Sequence, residues 1–328
     1  MRHIVVISTG GTIASRWNGS GYAAEAAGQE LLDEAVLPDG VTTKVVDLFT
    51  VNSSQLTSAQ QLSLLHTVHR TLRDPDVDGL VVTHGTDTLE ESAFLLDLHH
   101  HDPRPVVFTG AQRPLEAADS DGPGNLRDAL LAAAEVRDAG VLVAFGGLLH
   151  SARGTVKRQT LAPDAFGDPS DGHLGTVGFG RVRLRGAPSR SRPLPLPPPA
   201  ATAPRVDMVA HHVDGDPSLL RAALATGARG VVLVATGAGN ATPQWVDAVR
   251  EATSSGVLVA LTTRVPAGPI AALYTGGGAV DLIEAGAVPT GTLRAAQART
   301  AVLAALTQEV TPDQRPALLR ELLTPGEV

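Results

Sequence analysis

The sequence predicts an α/β protein of two domains, each a mainly parallel sheet flanked by helices. Three observations carry this. Short apolar runs alternate with segments of helical period, the βαβα rhythm of a parallel sheet covered on both faces. One stretch dense in proline, serine and arginine, Gly186–Pro204, interrupts that rhythm, which then resumes. The length, 328 residues, suits two domains at roughly 150 residues each. The expected organisation is therefore residues 1–185, a proline-rich linker over 186–204, and a smaller domain over 205–328.

Taken in order, Ile4–Ile7 is an apolar run suited to a buried parallel strand, and Lys44–Leu48 reads as a second. Ser58-x-x-Gln61 has capping-box spacing, and Leu62, Leu65, Val68 and Leu72 then line one helical face. Leu80–Val82 is a short buried strand. Asp87-x-x-Glu90 fits a helix start ahead of Leu89, Ala93 and Leu96. Val106–Phe108 is a strand, Asn125–Arg137 a helix with Gly140 as its stop, and Val141–Phe145 the fifth strand. Residues 146–185 read as hairpin and loop. Pro197-Pro198-Pro199 excludes a helix or central strand in the linker. Beyond it come strands at Val206–Val209, Val231–Val234 and Val257–Leu261. Helices are expected near Leu219–Ala225 and Pro243–Thr253, with a helical tail from Leu293.

Composition narrows the function. A net charge of −8 argues against a nucleic-acid surface. The absence of cysteine removes disulfides, thiolate metal sites and a cysteine nucleophile. No apolar run reaches the length of a membrane span, and the apolar start at Ile4–Ile7 is too short for a signal peptide, so a cytoplasmic protein is expected. Among 26 basic residues only Lys44 and Lys157 are lysines. Arginine stays charged in proteins whereas lysine can lose its proton, so each lysine in so arginine-rich a chain raises a question.

Ligands of open parallel sheets bind beyond the carboxyl ends of the strands. The segments there are Ser8-Thr9-Gly10-Gly11-Thr12, Asn52-Ser53-Ser54-Gln55, Thr83-His84-Gly85-Thr86-Asp87 and Thr109-Gly110-Ala111-Gln112. Each has a plain reading. Ser8–Thr12 lacks both G-x-G-x-x-G and a Walker lysine, which leaves little for a phosphate cradle. Asp87 alone reads best as a helix cap, Ser54 and Gln55 as solvated loop, and Lys157 as a surface charge. His99-His100-His101 closes a predicted helix, where cations suit the dipole; adjacent helical residues diverge, which disfavours a metal site.

Two segments change the weighting. Thr9-Gly10-Gly11-Thr12-Ile13-Ala14 and His84-Gly85-Thr86-Asp87-Thr88-Leu89-Glu90 resemble the two signature segments of the bacterial L-asparaginase family, in the same order and about 75 residues apart. Val51–Gln55, Gly154-Thr155-Val156-Lys157, Arg264-Val265-Pro266 and Gly291-Thr292-Leu293 resemble further family segments, so the similarity spans the chain.

The resemblance implies a threonine-nucleophile amidohydrolase of the cytoplasmic type, with a larger flavodoxin-like and a smaller Rossmann-like domain. It implies Thr12 as nucleophile, Tyr22 as the residue polarising it, and Thr86, Asp87 and Lys157 as a hydroxyl–carboxylate–amine group beside the substrate. Gly11, Ser54, Gln55, Thr86 and Asp87 would hold L-asparagine, and Asn240 would reach into a neighbouring subunit's site. The family forms dimers and tetramers, so a homo-oligomer with sites near subunit contacts is implied. No metal and no organic cofactor is expected, nor any membrane or nucleic-acid partner.

Physical chemistry agrees with these roles. A threonine hydroxyl needs a neighbouring base, for which a deprotonated lysine would serve. Fixed N–H groups in Gly10–Thr12 and Gly85–Thr86 would suit a tetrahedral oxyanion. The sequence departs from the family after Arg264-Val265-Pro266. There Ala267–Tyr274 holds no acid where tight binders carry a neighbour's glutamate, and Tyr274 stands instead. A weaker KM is the expectation. Glutaminase–asparaginase breadth, the amidase subunit of a tRNA-dependent amidotransferase, and a non-catalytic amino-acid sensor are the alternatives.

Overall fold

The computed structural model describes residues 1–199 and 201–324. Ala200 of the expected linker and the last four residues of the expected helical tail lie outside them. The chain divides into two units, Met1–Pro188 and Ser189–Val328.

In the first unit, β1 (Arg2–Gly10) is followed by a short hairpin of β2 (Ser15–Trp17) and β3 (Tyr22–Ala24). Then come α1 (Gly28–Asp33), β4 (Val41–Val51), α2 (Ser58–Thr71), β5 (Gly79–Thr83), α3 (Leu89–Asp97), β6 (Val106–Thr109), α4 (Gly122–Glu135) and β7 (Val141–Phe145). Five shorter strands close the unit: β8 (Leu148–Ser151), β9 (Val156–Lys157), β10 (Phe166–Gly167), β11 (Gly175–Gly178) and β12 (Arg181–Leu184). Among the described residues the main sheet has eight strands in the order β12-β11-β8-β7-β6-β5-β1-β4. The run from β4 through β1, β5 and β6 to β7 is parallel throughout. Its strand order is that of a flavodoxin-like sheet. The remaining three strands add on antiparallel.

Burial explains why the central strands read as unbroken apolar runs. Ile4, Val6, Val81, Val107 and Leu142 face a cluster that includes Leu31 and Leu32 of α1 and Leu126, Ala129 and Leu130 of α4. The alternate residues Val5, Ile7, Val82 and Phe108 are as deeply buried, on the side where α3 covers β7. A strand covered on both faces has no polar side to alternate with.

Several boundaries differ from the sequence reading. The capping box of α2 is Thr57 and Gln60, one residue before the expected pair: Thr57 Oγ1 accepts from Gln60 N at 3.2 Å, and Gln60 Oε1 accepts from Thr57 N at 2.9 Å. Thr57-x-x-Gln60 and Ser58-x-x-Gln61 satisfy the same pattern. The chain takes the first, which leaves Gln61 buried against Ser92. Helix α3 starts at Leu89 after Thr88, so Asp87 is not its cap. Helix α4 starts three residues early, at Gly122 with proline in its first turn, and ends at Glu135 because Val136 turns extended; Gly140 lies beyond it.

His99 is not a cation on a helix end. His99 and His100 are buried, and burial, with His69 and His66 nearby, pushes His99 down to about 3. For His99 the expected dipole contact is replaced by a neutral imidazole packed inside.

The second unit contains β13 (Val206–Ala210), α5 (Ser218–Ala225), β14 (Gly230–Ala235), α6 (Pro243–Ser254), β15 (Leu258–Thr263), α7 (Ala279–Glu284), β16 (Val288–Pro289), α8 (Ala295–Leu306) and α9 (Arg315–Leu323). Its four strands are parallel in chain order among the described residues. The short elements α7 and β16 were not foreseen. Trp245 of α6 anchors the core at 1% exposure and satisfies its indole N–H on Gly215 O at 2.8 Å.

Candidate active site

Because β1, β4, β5 and β6 are parallel, the segments that follow them share one edge of the sheet. Glycines let them meet. Gly11 has φ 84°, and a Cβ there would overlap Gly85 Cα and N; a Cβ on Gly85 would strike Ser53 Oγ and Cβ. The loop after β1 thus packs backbone to backbone on the loop after β5, as only glycines allow. Gly11→Ala is expected to cost roughly 2–4 kcal/mol, combining the left-handed φ with overpacking, and to abolish activity. Urea unfolding midpoints check it, and an unchanged midpoint would mean that the two loops are not in register here.

Thr12 opens a single 3-10 turn, Thr12–Ala14, at the mouth of this contact. It is half-buried, and its preceding carbonyl, Gly11 O, accepts from Ser15 Oγ at 3.0 Å. Tyr22 stands on the β2–β3 hairpin, half exposed, with its ring edge-on to Trp17 at 5.3 Å. Among the described residues no hydrogen bond joins it to Thr12. The hairpin is tethered by Arg16 to Glu30 at 2.6 Å and by the Trp17 N–H to Glu116 Oε1 at 2.6 Å.

Thr86, Asp87 and Lys157 do come together. Lys157 Nζ donates to Thr86 Oγ1 at 2.8 Å and pairs with Asp87 Oδ1 at 2.9 Å. Thr86 is buried while Asp87 is exposed, so the amine links a sheltered hydroxyl to a carboxylate open to a ligand. Ser54 and Gln55 are exposed on the loop after β4. The neighbouring Ser53 is the structural member of that loop: its Oγ accepts from Asp87 N at 3.2 Å and its carbonyl from Thr88 Oγ1 at 3.0 Å. Asn240 lies in the second unit, in the turn after β14, where its N–H donates to Thr236 O at 2.7 Å. Tyr274, also in the second unit, is exposed.

Sequence reading named Gln112 only as an edge residue. Its Oε1 accepts the Thr86 hydroxyl at 3.2 Å, while its Nε2 donates to the carbonyls of Gln159, Thr160 and Ala162 at 3.3–3.4 Å. Those carbonyls can only accept, which settles the amide's orientation and gives the Thr86 proton a fixed acceptor. Asp121, just before α4, holds the Gln112 and Arg113 N–H groups at 2.9–3.1 Å. Asn125 donates to Gly110 O at 3.0 Å. No local motif announces these contacts, because the partners are eight to fifty residues apart.

His84 is buried, its Nδ1 sits 2.7 Å from Gly85 O, and burial pushes it down to about 4. It is a neutral donor that shapes the turn before Thr86. Arg153, ahead of Lys157, lies 5.1 Å over the Phe94 ring of α3, and burial pulls it down to about 10 against the opposing effect of Asp97.

The arrangement offers a half-buried hydroxyl at the head of a glycine turn and a second hydroxyl wired to an amine and a carboxylate. It has an open carboxylate for a cationic group. It can accept and pass protons beside a small polar ligand.

The chain matches the family model "Asparaginase, N-terminal" over residues 3–190 and "Glutaminase/Asparaginase C-terminal domain" over residues 205–319. It is 35% identical over 298 residues to an L-asparaginase of Bacillus licheniformis, covering 88% of this chain and 90% of that one. It is 37% identical over 314 residues to a probable L-asparaginase of Deinococcus radiodurans, covering 92% of each. The crystal structure of a probable cytoplasmic L-asparaginase from Campylobacter jejuni superposes with a TM-score of 0.88 at 29% identity, over 98% of this chain and 100% of that one. With both family models matched in order along one chain, this protein belongs to the asparaginase family.

Proposed function

We propose that this protein is an L-asparaginase, hydrolysing L-asparagine to L-aspartate and ammonia through an ester on Thr12. The observation that carries the reading is the Lys157 amine set between Thr86 and Asp87 at 2.8 and 2.9 Å. A protein that only bound an amino acid would have no use for a hydroxyl wired to an amine, whereas hydrolysis needs such a proton path.

In this reading Thr12 Oγ1 attacks the side-chain amide carbon, and the oxyanion is met by N–H groups of the Gly11–Thr12 and Gly85–Thr86 turns. The amide nitrogen takes up a proton and leaves as ammonia. Water then attacks the β-aspartyl ester on Thr12 and frees L-aspartate. Lys157, once it has given up a proton, accepts that of Thr86, and Thr86 in turn that of the attacking group. Asp87 holds the substrate's α-ammonium, and Ser54 and Gln55 its α-carboxylate. Tyr22 supports Thr12 when the β2–β3 hairpin closes over a substrate. Asn240 completes the site of a neighbouring subunit in a homo-oligomer. The closeness in fold to a cytoplasmic-type enzyme supports a cytoplasmic setting and a modest affinity, consistent with Tyr274 where an acid would strengthen the ammonium grip.

Ammonia release from L-asparagine, L-glutamine and D-asparagine tests this directly. Saturable release from L-asparagine, with much less from L-glutamine, is the expected result. No release at tens of millimolar, well above the usual KM range of about 1 μM to 1 mM, would overturn it.

A further inference from the structure

Lys157 stands on a strand with little pairing of its own. β9 meets β10 through Lys157–Phe166 and Val156–Gly167 alone. The Lys157 N–H instead donates to Glu90 Oε2 at 2.5 Å. Glu90 is in the first turn of α3, three residues after Asp87 and four after Thr86. One five-residue segment therefore holds Lys157 at both ends: Thr86 and Asp87 take the amine, and Glu90 takes the main chain.

This is a demanding place for a carboxyl group. Burial pushes Glu90 up to about 7, opposed by the Lys157 N–H, reinforced by Glu91 and opposed again by the Lys157 charge. Helix polarity does not require it, since Glu91 occupies the same turn. A half-buried carboxyl kept at such a cost, on the backbone of the one lysine in the site, calls for a role tied to that lysine.

We infer that Glu90 is a positioning residue for the hydrolysis, anchoring the Lys157 main chain so that the amine reaches Thr86 and Asp87 together. The inference rests on the amidohydrolase reading above. A lysine side chain is long and flexible, so an unanchored backbone leaves the amine free to drift from one partner. Misplacement of a catalytic group by about 1 Å can cost on the order of 10²-fold in rate.

The test compares wild type, Glu90→Leu and Glu90→Gln by ammonia release, with urea midpoints on each. Glu90→Leu is expected to lower kcat roughly 10–100-fold with KM within about 3-fold. Glu90→Gln keeps an oxygen for the Lys157 N–H and is expected to hold kcat within about 3-fold of wild type. Should Glu90→Leu fail to fold, Glu90→Asp replaces it: one methylene shorter, it keeps the charge but loses the reach, and the same fall in kcat is expected. Wild-type kcat in the folded Leu variant, or in Asp where Leu does not fold, would overturn the inference. So would a loss in Glu90→Gln as large as in Glu90→Leu. Absence of ammonia release from wild type itself would instead sink the amidohydrolase reading, and this inference with it.

Discussion

Thr12→Ala is expected to reduce kcat for L-asparagine by at least about 10⁴-fold while leaving the unfolding midpoint near that of wild type. Thr12 is half-buried at the mouth of the Gly11–Gly85 contact, and among the described residues no hydrogen bond of the fold depends on its hydroxyl. Its removal therefore deletes the proposed attacking atom and little else. Substrate binding should survive, because the proposed binding residues Asp87, Ser54 and Gln55 remain, and isothermal titration of the inactive variant should still show saturation. Lys157→Met provides the companion result. It strips the amine from between Thr86 and Asp87 and should cost about 10²–10⁴-fold in kcat, the range for losing one acid–base group. Near-wild-type turnover in a folded Thr12→Ala protein would remove Thr12 from the chemistry.

The second large effect is acid lability. His84 and His150 are pushed down to about 4 by burial, with His173 and Arg158 adding to the shift of His150. His69 reaches about 4 through burial and the surrounding His100, His101 and His66, and His99 about 3. All start from 6.5, so between about pH 6.5 and pH 4 the unfolded chain binds protons that the fold refuses. Stability is therefore full above that window and drops as pH falls through it. A fully buried imidazole such as His84 contributes a loss of about 1.4 kcal/mol per pH unit there. Glu90, raised to about 7, and Asp128, raised by burial, work the other way, but they are two groups against several.

Urea midpoints at pH 7.5, 6 and 5 should decline steeply and by more than one histidine's worth. Since both ring nitrogens of His99 are buried without a partner among the described residues, His99→Phe should flatten part of the decline. A flat profile for wild type would mean these imidazoles take up protons inside the fold as readily as outside.

The sequence made the central sheet legible because Ile4–Ile7, Leu80–Val82 and Val106–Phe108 are covered on both faces and so carry no polar alternation. It was ambiguous where two patterns overlap by one residue, as at Thr57 and Ser58, since the choice depends on where the following helix must bury Leu62 and Leu65. The pairs α7 and β16 were hidden by their brevity. Within the site, glycine-rich turns and the scarcity of lysine drew attention to Gly11, Thr86, Asp87 and Lys157. Glu90 did not stand out, because an acid in a first helical turn is ordinary and its partner lies 67 positions away. Gln112 was opaque for the same reason: an amide's significance depends on which carbonyls the fold brings to it.

The direct seating of Gly11 on Gly85 has a bearing on how such a protein can be re-engineered. Two loops in main-chain contact leave a mutagenesis library no room there: any larger residue separates the turn that carries Thr12 from the turn that carries Thr86. Variants with altered substrate choice should therefore be recovered from the exposed positions around that seam, such as Ser54, Gln55 and the β2–β3 hairpin. A randomised pool spanning residues 10–12 and 84–86 should return almost nothing but the parental glycines.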